Sequence, residues 1–266
     1  MKEKEIFESV RTLIIEVGDW ILTQRLSFGK HHIEEKGLNN LVSYVDKEAE
    51  TRLVDGLQKI LPGSYFLTEE GTILHEKDGE WEWIIDPLDG TTNFVHGIPF
   101  YCVSVALRHH QDFTMGIIYE PNLKEFFHAI KGEGAFLNNA SIHVSDSPSL
   151  AQSVIATGFP HRSFEKMEEY VKSLDYFFRN TRSLRRMGAA ALDMAYVGCG
   201  RMDGFFELKL MPWDIAAGTL IVREAGGIAT DFSGNHDLLF SNQILCGNLS
   251  VHKEMKKVLD GYFTEI

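Results

Sequence analysis

The spacing of hydrophobic and polar positions changes partway along the chain. Ile6, Val10, Leu13, Ile14, Val17 and Ile21 recur at helical spacing and predict an opening amphipathic helix. After a weaker segment, His31 to Asn40, Ser43 and Asp46 form a capping-box-like start. Leu53, Val54, Leu57 and Ile60 supply the buried face of this second helix, and Pro62-Gly63 ends it. From Tyr65 onward, short apolar runs alternate with turns. Tyr65–Leu67, Trp83–Ile85, Tyr101–Leu107, Phe113–Tyr119 and Glu125–Ala129 read as strands, with turns at Gly132-Glu133-Gly134 and Asn138-Asn139.

The polar stretch Ser145 to Ser149 predicts a seam, dividing the chain into halves at 1–146 and 147–266. Beyond it, strands are expected at Val154–Thr157, Gly204–Leu208 and Gly227–Thr230. Helices are expected at Phe164–Phe178, Gly188–Val197 and Ile215–Ala225. Alternating helices and short strands suggest layered α/β packing there.

Composition narrows the function classes. Hydrophobic residues make up 44% of the 266 positions and charged residues 24%, as in an ordinary globular chain. The net charge of −12 argues against nucleic-acid or anionic-membrane partners. An anionic substrate would then need a bound cation to attract it. The cysteines, Cys102, Cys199 and Cys246, are odd in number and far apart, which predicts neither a disulfide framework nor a zinc site. The alternating charges of Met1–Glu5 do not resemble a signal peptide, and the apolar run Phe100–Leu107 is too short to cross a bilayer. A cytoplasmic protein is expected.

The strongest local signal is Trp83-Ile84-Ile85-Asp86-Pro87-Leu88-Asp89-Gly90-Thr91-Thr92-Asn93. An apolar strand delivers Asp86 to its end, Pro87 is expected to stop the ladder, and Asp89 follows close by. Two carboxylates this near repel unless a cation or proton lies between them. Gly90 allows close backbone approach, and Thr91-Thr92-Asn93 suits a helix opening whose free N–H groups attract an anion. The plainer alternative is a surface turn, since Asp-Pro and Asp-Gly both favour turns. Two further acidic segments shift the balance. Glu69-Glu70 follows the strand Tyr65–Leu67, and Met211-Pro212-Trp213-Asp214 places an Asp at a helix start. Alone, these would read as a solvated loop and an N-cap.

Together the three segments resemble the inositol monophosphatase family of magnesium-dependent, lithium-sensitive phosphatases. The motifs are Asp86-Pro87-Leu88-Asp89-Gly90-Thr91 and Trp213-Asp214-Ile215-Ala216-Ala217-Gly218. Arg185–Asp193 and Gly200–Glu207 look most like its microbial branch. The resemblance implies a layered αβαβα sandwich, shared with fructose-1,6-bisphosphatase, and a homodimer. It also implies two to three Mg²⁺ held by Glu69, Asp86, Asp89, Asp214 and the carbonyl of Leu88. Hard oxygen donors of this kind suit Mg²⁺ better than zinc. By the same resemblance Gly90, Thr91 and Thr92 hold phosphate, and Thr91 with Asp46 activates water beside Glu69. Glu207 and Arg186 contact the substrate alcohol, Asp214 also touches the substrate, and Lys36 lies in a loop near the phosphate.

The reaction implied is hydrolysis of a small phosphate monoester without a phosphoenzyme. Inositol 1-phosphate is the expected substrate, with the NADP 2′-phosphate or fructose 1,6-bisphosphate as alternatives. Thr68, Asn40, Ala189 and Met211 depart from the family pattern, the last two at the alcohol end. A haloacid-dehalogenase-type phosphatase is disfavoured because Asp86 and Asp89 are three apart rather than two. A non-catalytic phosphate-binding regulator would need no water-activating pair. The pairs His31-His32 and His109-His110 are expected to be solvated or packed rather than metal-bound, and Phe126-Phe127 and Phe205-Phe206 to lie in the core.

Overall fold

The computed structural model describes residues 2–28, 33–37, 40–72, 79–160 and 165–263. In the first half the elements are α1 (Lys2–Ser27), β1 (Ile33–Gly37), β2 (Asn40–Ser43), α2 (Tyr44–Ile60), β3 (Tyr65–Thr68) and β4 (Trp81–Asp89). They continue through α3 (Thr91–His96), β5 (Cys102–His109), β6 (Asp112–Glu120), β7 (Glu125–Ile130), β8 (Gly134–Leu137) and β9 (Ala140–Ile142). The second half adds β10 (Val154–Thr157), α4 (Met167–Asn180), β11 (Ser183–Arg185), α5 (Ala190–Gly198) and β12 (Gly204–Leu208). It closes with α6 (Pro212–Glu224), β13 (Ile228–Thr230), β14 (Gln243–Gly247) and α7 (Leu249–Phe263).

Two sheets organise the molecule. The first has seven strands in the order β3-β4-β5-β6-β7-β8-β9, with only β3 and β4 parallel. Its near-sequential order follows from the tight turns the sequence supplies. The second has the order β11-β10-β12-β14-β13, in which β14 runs antiparallel to both neighbours. The first sheet is drawn from residues before the 145–149 segment and the second from residues after it.

Four apolar clusters define five layers. Val10, Ile14 and Ile21 of α1 and Leu53 and Leu57 of α2 pack on one face of the first sheet. Its other face meets Ala191, Leu192, Ala216 and Ala217 of α5 and α6, whose alanines admit a close approach. Met194 and Ile215 of the same helices cover the second sheet at Phe205 and Ile244. Tyr170 and Phe177 of α4 and Val251, Met255 and Leu259 of α7 cover its far side. The result is the αβαβα sandwich, with α5 and α6 buried between the sheets because they are apolar on nearly every face. Among the described residues no helix is long and apolar enough to cross a membrane.

Where an element was expected, strand and helix positions match to within a few residues, and β8 and β9 flank the turn expected at Asn138-Asn139. The segment before α2 carries the hairpin β1–β2, and β11, β14 and α7 follow runs for which no element was expected.

Candidate active site

The site begins where β3 and β4 end side by side. Thr68 pairs with Ile85, and the Glu69 N–H donates to the Ile85 carbonyl at 3.3 Å, so Glu69 leaves its strand beside Asp86. Pro87 does not stop the ladder, contrary to expectation. Asp86 pairs with Ser104 and Asp89 with Cys102, so three steps on β4 match two on β5. That mismatch is a bulge, placed where proline has no N–H to offer. In a regular strand, residues three apart face opposite sides. The extra residue cancels the half-step, and Asp86 and Asp89 line the same cavity.

Other elements complete the cluster. The Leu88 N–H donates to Asp86 Oδ1 at 3.0 Å while its side chain is buried in the core, leaving its carbonyl at the site. Asp89 Oδ2 accepts the Ala191 N–H from the first turn of α5 at 2.7 Å. It also lies 3.8 Å from Cys102 Sγ. Asp214 stands in the first turn of α6 and accepts the Met211 N–H at 2.7 Å. Gly90 adopts φ 92°, a left-handed conformation that turns the chain from β4 into α3.

Asp46 belongs to the capping box of α2. Its Oδ2 accepts the Ser43 N–H at 2.8 Å and the Ser43 hydroxyl at 2.6 Å. Its Oδ1 lies 2.9 Å from Thr91 Oγ1. The Thr91 hydroxyl is also 3.1 Å from the Leu88 carbonyl, so its single proton has two acceptors. Burial raises the Asp46 carboxyl above its usual range, opposed by the hydrogen bonds from Ser43 and Thr91.

A cavity of about 280 Å³ collects these groups. Every residue expected at the site lines it except Asp46, which reaches it through Thr91, and Lys36, whose side chain lies outside the described residues. Burial, reinforced by the charges of Glu69, Asp89 and Asp214, raises Asp86 well above the usual carboxylate range. Burial pushes Asp89 to about 7, with the Ala191 N–H opposing and the Glu69 charge adding to the shift. Mutual repulsion of this kind is relieved by a cation. The donors are carboxylates and the Leu88 carbonyl, with no thiolate or imidazole on the cavity wall among the described residues, and this set fits Mg²⁺.

At the far end of the cavity Glu207 is pushed to about 8 by burial and by the charge of Asp214, with Arg186 opposing. Arg186 lies 5.6 Å from the Phe159 ring. Ala189, where the family resemblance expects a hydroxyl, lines the wall and caps α5. Gly158, Lys209 and Leu210 line the cavity without having been anticipated. A glycine directly after an apolar strand is the signal that could have found Gly158. Lys209, at φ 64° and paired with Glu165 at 2.9 Å, carries no comparable sequence mark.

Lys36 falls on β1 and not on a loop, and its side chain lies outside the described residues, as do His31 and His32. His109 stacks on Trp81 at 4.3 Å, as expected of a packing histidine. The structure nevertheless adds a neighbour. His110 turns at φ 55°, and ligand atoms of Glu80, His109 and His110 lie within 4.8 Å of one another at the β5–β6 turn, away from the cavity. Phe126, Phe127, Phe205 and Phe206 are all buried.

Comparison with known proteins accords with the fold. The sequence profile of the inositol monophosphatase family matches residues 3–263. Nus factor SuhB of Escherichia coli is 42% identical over 221 residues, 83% of each chain. The solved inositol monophosphatase of Thermotoga maritima superposes with a TM-score of 0.88 at 36% identity, covering 98% of both chains. A Staphylococcus aureus inositol monophosphatase solved with inositol monophosphate bound gives a TM-score of 0.79 at 28% identity, over 97% of this chain and 95% of that one. A match along nearly the whole length, together with the acidic cavity, makes this chain a member of the inositol monophosphatase family.

Proposed function

We propose that this chain is a Mg²⁺-dependent phosphomonoesterase that hydrolyses inositol 1-phosphate, and other small phosphates more slowly, by direct attack of water. The observation that carries this reading is the convergence of Glu69, Asp86, Asp89 and Asp214 on one cavity, with the Asp46–Thr91 pair at its edge.

Glu69, Asp86, Asp89, Asp214 and the Leu88 carbonyl would hold the metal. Mg²⁺ bound there supplies positive charge that polarises phosphoryl oxygens and acidifies bound water. The first N–H groups of α3 have no intrahelical acceptor, and at Gly90, Thr91 and Thr92 they are free to bind phosphate oxygens. Thr91 Oγ1 orients the attacking water and takes its proton as its own passes to Asp46 Oδ1. Burial makes Asp46 a stronger base than an exposed aspartate, which suits that role. Glu207 and Arg186 bind hydroxyls of the leaving alcohol.

The bound ligand of the staphylococcal relative supports inositol monophosphate as substrate. Phosphate release measured over inositol 1-phosphate, fructose 1,6-bisphosphate and NADP tests the choice. The highest kcat/KM is expected for inositol 1-phosphate, and a higher value for either other ester would displace it. A second reading comes from SuhB, which is named as a Nus factor. A role as a Nus factor would be separable from catalysis, and an Asp89→Asn variant that still replaces SuhB in Escherichia coli would establish it.

A further inference from the structure

Glu50 is an acidic residue that the catalytic reading leaves unused. It lies on α2 with no solvent exposure, and no ion pair involves it among the described residues. Its hydrogen bonds all go to one loop. Oε2 accepts the Glu70 N–H at 2.7 Å, and Oε1 accepts both the Thr72 N–H and the Thr72 hydroxyl, each at 2.7 Å. Both oxygens act as acceptors, the pattern of a carboxylate.

The loop so held carries Glu69. The β3–β4 ladder fixes the chain only as far as the Glu69 N–H, and Gly71, at φ 60°, already turns away. Glu50 takes over at Glu70, where the ladder stops. Asp46 and Glu50 are four residues apart and therefore share one face of α2. Through them a single helix ties down two loops: Asp46 holds Thr91, and Glu50 holds the segment that presents Glu69. The same capping box that fixes the start of α2 sets the height of both carboxylates.

We propose that Glu50 is a positioning residue for the metal site: by anchoring residues 70–72 it fixes Glu69 in the geometry that binds Mg²⁺. This rests on the reading of Glu69 as a metal ligand. Residues that orient metal ligands change metal affinity by about 10- to 100-fold when replaced. A residue serving only the stability of the fold would leave the affinity of the folded protein for Mg²⁺ unchanged.

The test compares the wild type with Glu50→Gln and Thr72→Val. The readouts are the Mg²⁺-induced shift in Tm and the Mg²⁺ dependence of phosphate release. Glutamine keeps one acceptor oxygen but sets an amide N–H₂ against one of the loop donors. Thr72→Val removes only the hydroxyl bond and keeps the Thr72 backbone bond, so it provides a milder variant should Glu50→Gln fold poorly. In Glu50→Gln the half-saturating Mg²⁺ concentration should rise about tenfold or more, with the rate at saturating Mg²⁺ falling less than threefold. Thr72→Val should give a smaller rise in the same direction. Half-saturation unchanged in both variants, or a fall confined to the saturated rate, overturns the proposal. If the wild type itself shows no Mg²⁺-induced shift, the metal-dependent reading fails first. A wild-type shift retained in full by both variants removes Glu50 alone.

Discussion

Gly158 decides where Glu207 can sit, and adding one methyl there separates alcohol recognition from the rest of the site. A Cβ built on Gly158 would lie 1.9 Å from Glu207 Cδ and Oε1 and 2.0 Å from Oε2. Ordinary contact begins near 3.4 Å, so the carboxyl must retreat by about 1.5 Å. The backbone of Gly158 is not in the left-handed region, so alanine imposes no backbone strain there. A lost hydrogen bond contributes ~0.5–1.5 kcal/mol if the carboxyl is neutral and ~1.5–3 kcal/mol if it is ionised. Gly158→Ala should therefore lower kcat/KM for inositol 1-phosphate about tenfold with a neutral Glu207, and up to about a hundredfold with an ionised one. With its carboxyl pushed to about 8, the larger loss belongs to the alkaline side of that value. Phenyl phosphate offers no hydroxyls to Glu207, and its kcat/KM should fall less than threefold. Parallel assays on both esters at pH 7 and 9 check this. Equal losses on both substrates would refute the assignment of Glu207 to the alcohol end.

Thr91→Ala should lower kcat by about two orders of magnitude or more, the scale of a positioned proton-transfer group, while the Mg²⁺-induced rise in Tm persists. A kcat within threefold of wild type would remove the Asp46–Thr91 pair as water activator. His128 lies between the Phe7 and Phe136 rings, at 4.7 and 5.2 Å, and burial with the nearby charge of Arg11 lowers it to about 4. An unfolded histidine takes up its proton near 6.5, so the native state loses this contribution as pH falls from about 6.5 to about 4. His128→Phe should thus be more stable relative to wild type at pH 5 than at pH 7, and a Tm difference independent of pH would contradict the sign.

The chemistry was more legible than the geometry that makes it work. Asp86, Leu88 and Asp89 can be picked out because proline and glycine punctuate an apolar strand, yet the spacing of three argues on its face against a shared side. Only the pairing with Ser104 and Cys102 reveals the bulge, and pairing is a property of two strands at once. Glu50 is hidden for a similar reason: on a helix rich in Glu and Lys it reads as one more solvated charge until Glu70 and Thr72 are seen to close over it. By contrast, α7 was within reach. Val251, Met255, Leu259 and Phe263 recur at four-residue steps and are all buried. β14 is a short apolar run, Ile244-Leu245-Cys246, whose place between β12 and β13 depends on long-range pairing that no local pattern encodes.

On the proposed reading, four carboxylates and one carbonyl hold Mg²⁺ for phosphate-ester hydrolysis. Phosphate release from inositol 1-phosphate, followed in Mg²⁺, then after excess EDTA, then after Mg²⁺ is restored, tests it most directly. The rate should fall to background in chelator and return with the metal, because without it nothing polarises the phosphoryl oxygens or acidifies the attacking water, and the acidic wall offers a phosphate dianion no compensating cation. Full activity in EDTA would mean that hydrolysis here needs no bound Mg²⁺.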